Sequence, residues 1–291
     1  MKLKKVLIGI VEGVLVVAIL VGVAMVGFRV YYYFKDKSGV DDTSDLRKRV
    51  EDEYLDEDPD EEVGDNSSFE NQFDGMSEEG KRQVAQDLIA ELREKYSNED
   101  VVGYVVLDGY DIEYPVMYGE TNDEYIKSSP YGGYDYNGSI FLDCGNHPDF
   151  SDSRNVIYGH NMINGSMFGS LKLHYLGDLE GKTFTLYTED GIGVYDILCS
   201  VSVNPYGENW CLFPGYEYEK DMRGKGYSDE EIKNSMVDLK MSEFFENARN
   251  ASIAWNDEVE YSTESKIVTL MTCYGDGSSR IGVVGVLRDE K

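Results

Sequence analysis

Lys266-Ile267-Val268-Thr269-Leu270-Met271-Thr272-Cys273-Tyr274-Gly275-Asp276-Gly277-Ser278-Ser279-Arg280-Ile281-Gly282-Val283-Val284-Gly285-Val286-Leu287 is the stretch that decides the fold. Two apolar, β-branched runs flank a loop of Gly, Asp and Ser, the pattern of two strands joined by a turn. The same pattern recurs upstream. Val101–Leu107 is a β-branched run closed by Asp108-Gly109, a hairpin signal, and Ile112–Met117 follows with Pro115 marking an edge or a bend. Residues 139–142, 155–158, 182–187 and 194–203 continue the series, so that with 266–272 and 280–287 eight short strands are predicted. Almost no helix separates them, which implies a mainly β fold, an eight-stranded closed or nearly closed barrel.

Two helical patterns stand outside this series. Over residues 77–96, Val84, Leu88, Ile89 and Leu92 fall at helical spacing behind Ser77, a plausible N-cap, so one amphipathic helix precedes the barrel. Ser228-Asp229-Glu230-Glu231 opens a second, with Ile232, Met236, Leu239, Phe244 and Phe245 as its apolar side. It forms a helical insertion around residues 228–247, before the last two strands.

The N-terminus reads as a membrane anchor. Lys2, Lys4 and Lys5 precede an apolar run over residues 6–28, broken only by Glu12 and followed by Tyr31, Tyr32 and Tyr33. A helix of ~20 apolar residues spans a bilayer, and tyrosines favour its interface. A cleaved signal peptide would have a shorter apolar region and a small-residue cleavage site. Residues 1–35 are thus expected to be a single-pass anchor in the cell membrane, N-terminus inside, with the body of the chain extracellular.

Charge is concentrated next to it. Of a formal net charge of −29, residues 41–75 carry 15 acidic groups against three basic ones, Arg47, Lys48 and Arg49. Residues 36–76 are poor in aliphatics and read as an acidic flexible linker, leaving 77–291 as the folded domain. The run Asp56-Glu57-Asp58-Pro59-Asp60-Glu61-Glu62 lacks the Gly and the ligand spacing of a calcium loop. So acidic a chain has no electrostatic footprint for nucleic acid and is repelled by anionic headgroups. Four cysteines in 291 residues exclude a disulfide scaffold.

Candidate chemistry is confined to few residues. Cys273 ends one strand at the rim of the barrel, and Arg280 begins the next, so a hairpin brings them together. A guanidinium there can stabilise an oxyanion. Of three histidines, His160 lies just past a strand in Tyr158-Gly159-His160-Asn161, His147 precedes Pro148 in a turn-rich stretch, and His174 sits in a short connector. Cys199 reads as core and Cys211, beside Trp210, as packing. Cys144 and His147 form a C-x-x-H with no second pair at zinc spacing.

Thr269-Leu270-Met271-Thr272-Cys273, with Arg280 opening the following strand and Tyr158-Gly159-His160 upstream, resembles the signature of the sortases, Gram-positive cell-surface transpeptidases. The resemblance covers roughly residues 80–291. The helix at 77–96 and the insertion at 228–247 resemble the class B hallmarks, and Tyr114-Pro115-Val116 with Gly119, Asn122 and Tyr125-Ile126 is similar to a class B groove stretch. By this resemblance Cys273 is the nucleophile, His160 the general acid and later base, and Arg280 the oxyanion partner. Asn122, Ile126, Tyr158 and Thr272 would bind substrate. Met271 stands where class B members often carry Ser, and Tyr274 where an acidic residue can occur.

The resemblance implies no metal and no cofactor. It implies cleavage of a C-terminal sorting signal after Thr through a Cys273 thioester, then transfer of the surface protein to a peptidoglycan precursor amine. Two alternatives accompany it: a pilus-polymerising sortase that uses a pilin lysine, and a non-catalytic binding module that makes contacts through tyrosine-rich loops.

Overall fold

The computed structural model describes residues 2–55, 73, 75–107, 109–110, 112–171, 181–203, 223–228, 231, 241–274 and 279–288. Cys273 and Tyr274, like residues 2–12, 29 and 32–41, are described through their backbone. The chain divides into two compact units, Met1–Asp42 and Thr43–Lys291.

All eight expected strands form. They are β1 (Val101–Leu107), β2 (Ile112–Met117), β3 (Ile140–Leu142), β4 (Arg154–Tyr158), β5 (Thr183–Thr188), β6 (Gly191–Val203), β8 (Ile267–Tyr274) and β9 (Ser279–Leu287). A ninth, β7 (Ser252–Trp255), adds to the outside of β6; its four residues are too few to show a period of two. The order β5-β1-β2-β3-β4-β8-β9-β6 is closed by β5–β6 pairing into an eight-stranded barrel, which leaves no free edge around the ring. β1 is buried along its whole length and so reads as a continuous apolar run rather than an alternating one. Leu107 pairs with Ile112 across the expected hairpin. Pro115 sits where an N–H is dispensable, because pairing of β2 to β3 starts only at Val116.

Helices cover the barrel from outside. α2 (Glu78–Tyr96) begins as expected, with Ser77 Oγ accepting from Gly80 N at 3.1 Å, and ends at Ser97 in the left-handed conformation. Its Val84, Ala85, Leu88, Ile89 and Leu92 pack with Val101, Tyr104 and Val106 of β1. Of the helical insertion, α4 (Met241–Ala251) is described, and it buries Phe244, Phe245 and Ala248 against Leu198, Val201, Val284 and Val286. Ile232, Met236 and Leu239 lie outside the described residues. Ahead of them, Ser228 and Glu231 form a reciprocal capping box: Glu231 N donates to Ser228 Oγ at 3.3 Å, and Ser228 N to Glu231 Oε2 at 2.8 Å. A short helix, α3 (Asn122–Ile126), stands between β2 and β3.

The N-terminal expectations are corrected. No helix among the described residues is long and apolar enough to cross a membrane, which removes the basis for the anchor at 1–35 and for placing the chain in the cell membrane with an extracellular body. α1 (Lys2–Leu55) holds the apolar run. The helix then continues into the charged segment.

Residues 43–55, expected within the solvated linker, instead pack on the barrel. Leu46, Val50 and Tyr54, at i, i+4 and i+8, meet the cluster around Val84, Leu88 and Tyr187, and Val50 is 1% exposed. Arg47 is buried beneath them, donating to Glu51 at 2.7 and 3.0 Å and to Glu113 Oε2 at 3.3 Å, while the Tyr187 hydroxyl donates to Glu51. Burial pulls the Arg47 pKa down, but the neighbouring acidic groups, Glu51 first, more than reverse it.

Removing Arg47 leaves Glu51 buried without its counter-charge. Arg47→Ala is expected to lose roughly 3–5 kcal/mol of stability in urea unfolding, and Arg47→Met combined with Glu51→Leu to recover most of it. An unchanged midpoint in Arg47→Ala would refute this account of the docking.

Candidate active site

The ends of β4, β8 and β9 lie side by side. β8 and β9 are antiparallel with Cys273 directly opposite Arg280, while β4 and β8 are parallel with Tyr158 opposite Met271. Gly159 N donates to Met271 O at 3.0 Å, so the two strands stay level beyond the last pair. His160 is two residues past Tyr158, and Cys273 is two past Met271. The three backbone positions expected to carry the chemistry therefore meet at one end of three neighbouring strands.

Gly159 permits this approach. A Cβ there would stand 2.4 Å from Ile140 Cδ1 and 2.7 Å from the Phe168 ring. The half-buried His160 that follows is held at two points: its carbonyl accepts from Phe168 N at 3.0 Å, and its ring Nε2 lies 2.7 Å from Ile126 O. A carbonyl can only accept, so Nε2 carries the hydrogen and Nδ1 is the nitrogen left for proton transfer. Arg280 is half-buried, with Nη1 donating to Ser279 O at 3.3 Å.

The residues expected to bind substrate fall into different settings. Ile126 is half-buried and its carbonyl is the His160 partner. Tyr158 stacks near Phe141, at 5.4 Å between ring centroids. Burial first, and then the Asp143 charge, push its phenol well above the ordinary value, while the Arg280 guanidinium pulls it down. Thr272 is 3% exposed, opposite Ile281, and its Oγ1 finds no hydrogen-bond partner among the described residues. Asn122 is 1% exposed; its Oδ1 accepts from Cys144 N at 2.8 Å and its Nδ2 donates to Asp143 at 3.3 Å. Its amide is thus engaged inside the fold rather than presented to a groove.

Asp143 is the residue that sequence reasoning missed. It is fully buried, and its carboxylate accepts from Gly145 N at 2.8 Å as well as from Asn122. An acidic residue ending the apolar strand Ile140-Phe141-Leu142 was the available signal, since buried carboxylates need partners.

The other thiols and imidazoles separate from the site. Cys199 lies in the core among Leu198, Val201 and Phe244, where burial pushes its thiol up to about 12. Cys144 is half-buried, and His147 Nδ1 pairs with Asp152 at 2.7 Å. Cys211 and His174 lie outside the described residues. Among the described residues no group of three His, Cys, Asp or Glu side chains is placed to hold a metal ion.

A closed eight-stranded barrel whose fourth and last two strands bring the backbone positions of His160, Cys273 and Arg280 to one end is the arrangement expected from the sortase resemblance, and known proteins can be compared with it. No protein-family model matches the chain. Sortase B of Listeria monocytogenes is 28% identical over 176 residues, 60% of this chain and 63% of that protein, so the match spans less than two thirds of the relative. Sortase B of Staphylococcus aureus is 28% identical over 191 residues, covering 64% and 70% of the two chains. A solved class B sortase of Streptococcus pyogenes, involved in pilus biogenesis, superimposes with a TM-score of 0.55 at 25% identity, over 68% of this chain and 97% of its own. Sequence and fold together support a class B sortase, the class of protein this chain is similar to.

Two outcomes follow from this geometry. Gly159→Ala is expected to destabilise the chain by about 1–3 kcal/mol in thermal or urea unfolding, since the added Cβ meets the buried Ile140 and Phe168 side chains; a neutral result would contradict the close approach. At pH 8 in the native state Cys199 is expected to resist iodoacetamide, because its thiol stays protonated until far higher pH; rapid alkylation mapped to Cys199 by mass spectrometry would overturn this.

Proposed function

We propose that the chain is a cysteine transpeptidase that cleaves a C-terminal sorting signal after Thr and transfers the surface protein to a cell-wall amine. The observation that carries this reading is the shared register of β4, β8 and β9, which aligns His160, Cys273 and Arg280. Directly opposed positions of an antiparallel pair share one face of the sheet, so Arg280 is suited to act on the same substrate carbonyl as Cys273.

In the first step the Cys273 thiolate attacks the Thr carbonyl carbon, and the oxyanion that forms is stabilised by the Arg280 guanidinium. As the tetrahedral intermediate collapses, the C–N bond breaks and protonated His160 gives its Nδ1 proton to the leaving amine. A thioester remains on Cys273. In the second step His160 takes a proton from the incoming amine, which attacks the thioester carbonyl; a new amide forms and the thiolate is regenerated. Both half-reactions use the same three groups, with no net oxidation or reduction.

The acceptor in this reading is a peptidoglycan precursor amine. The likeness to the Streptococcus pyogenes class B sortase involved in pilus biogenesis favours a second reading, with a pilin lysine as acceptor and the same chemistry.

The full chain, incubated with fluorogenic peptides of the N-P-x-T-x and L-P-x-T-G types, is expected to cleave one type after Thr. Cys273→Ala should lower kcat/KM by at least ~10³-fold, and Arg280→Lys by ~10²-fold. Adding a glycine oligomer or a lysine-bearing pilin peptide identifies the acceptor through the transpeptidation product. Cleavage that survives Cys273→Ala would reject the proposal.

A further inference from the structure

The short helix α3 connects the two ends of a buried hydrogen-bond chain that reaches His160. At its first residue, Asn122 Nδ2 donates to Asp143 at 3.3 Å and Oδ1 accepts from Cys144 N at 2.8 Å, tying the helix to the residues that follow β3. At its last residue, Ile126 O accepts from His160 Nε2 at 2.7 Å. Both Asn122 and Asp143 are essentially unexposed, at 1% and 0%.

A five-residue helix has no stability of its own, because helix nucleation is unfavourable and pieces this short do not repay it. Its N-cap residue Thr121 makes no side-chain cap bond. Tertiary contacts must therefore set its position. Asn122 supplies two of them, and Tyr125 adds more: its hydroxyl donates to Asp100 at 2.5 Å and accepts from Asn98 at 3.0 Å, while its carbonyl accepts from Ser139 N at 3.0 Å. The Ile126 carbonyl is also approached closely by Gly138, where an added Cβ would stand 2.3 Å from Ile126 O.

We infer that Asn122 and Asp143 are positioning residues for His160: their buried clamp places α3 so that the Ile126 carbonyl holds the imidazole as its Nε2–H tautomer, with Nδ1 turned to the reaction. This deepens the reading under Proposed function, in which His160 moves protons at Nδ1, and it assigns Asn122 to the support of the site rather than to its substrate groove. Asp143 accepts from Asn122 and Gly145 at once, so the Asn122 amide is held at both ends, Oδ1 by Cys144 N and Nδ2 by Asp143. Without that carboxylate the buried Nδ2 loses its acceptor, and the first turn of α3 loses one of its two tethers.

The test reads the tautomer directly, by long-range 1H–15N correlation of the histidine rings in the full chain. Three histidines make assignment simple, with His147→Gln and His174→Gln as references. Wild-type His160 is expected to show a protonated Nε2 and a bare Nδ1 when neutral. Asn122→Ala and Asp143→Asn should each give mixed tautomers, with kcat lowered roughly 10- to 100-fold and KM changed less than ~2-fold. Gly138→Ala presses on the Ile126 carbonyl without altering Asn122 or Asp143, and should mix the tautomers in the same way, which keeps the test open should a clamp variant fail to fold. An Nδ1–H tautomer in the wild type would overturn the inference, as would variants that keep the Nε2–H form. A rise in KM alone for Asn122→Ala would return that residue to the substrate groove. The ring spectra need no turnover, so failure of the peptide assay would reject the proposed reaction without touching the clamp.

Discussion

Everything at the site depends on β8 having two different neighbours. Its parallel pairing with β4 brings Gly159 level with Met271, and its antiparallel pairing with β9 sets Cys273 opposite Arg280. A slip of one residue in either pairing would turn every side chain of the slipped strand to the other face. Barrel closure makes such slips expensive, because β9 is held on its far side by eight register pairs to β6, and β6 in turn pairs with β5. The alignment of these backbone positions is thus secured by hydrogen bonds distributed around the ring.

The polar groups inside this framework follow one rule, that a buried charge is kept only where its partners are fixed. Arg47 lies between Glu51 and Glu113, and Asp143 between Gly145 N and Asn122. The first arrangement attaches residues 43–55 to the barrel, and the second attaches α3 to the end of β3. Both lie off the strands that lead to His160 and Cys273, so each secures an accessory element, in the case of α3 one whose own length could not stabilise it.

Legibility in the sequence tracks the range of the interactions. The eight strands were readable because β-branched runs and Gly, Asp and Asn turns are local signals, and Ser77 as a helix cap likewise. Cys273, His160 and Arg280 could be picked out because each stands at the end of a strand. Residues 43–55 were misread because average acidity over residues 41–75 masks the stripe Leu46, Val50 and Tyr54, whose value depends on a partner surface more than 30 residues away. Asn122 was expected in a groove because of the resemblance to a class B sortase stretch; nothing local shows that a residue 21 positions on would hold its amide. Tertiary satisfaction of a buried polar group leaves no periodic trace in the chain.

The same distinction bears on how the imidazole is tuned. A neutral histidine has one donor and one acceptor nitrogen, and the partner of one nitrogen decides the state of the other. Here the deciding partner is a backbone carbonyl, Ile126 O, whose chemistry no side-chain substitution alters. What can vary is where that carbonyl sits, and this is governed by Asn122 at the other end of one helical turn, by Tyr125 within it, and by the absence of a side chain at Gly138. The placement of the carbonyl that meets His160 thus rests on the packing of a five-residue helix rather than on the strands that carry the site.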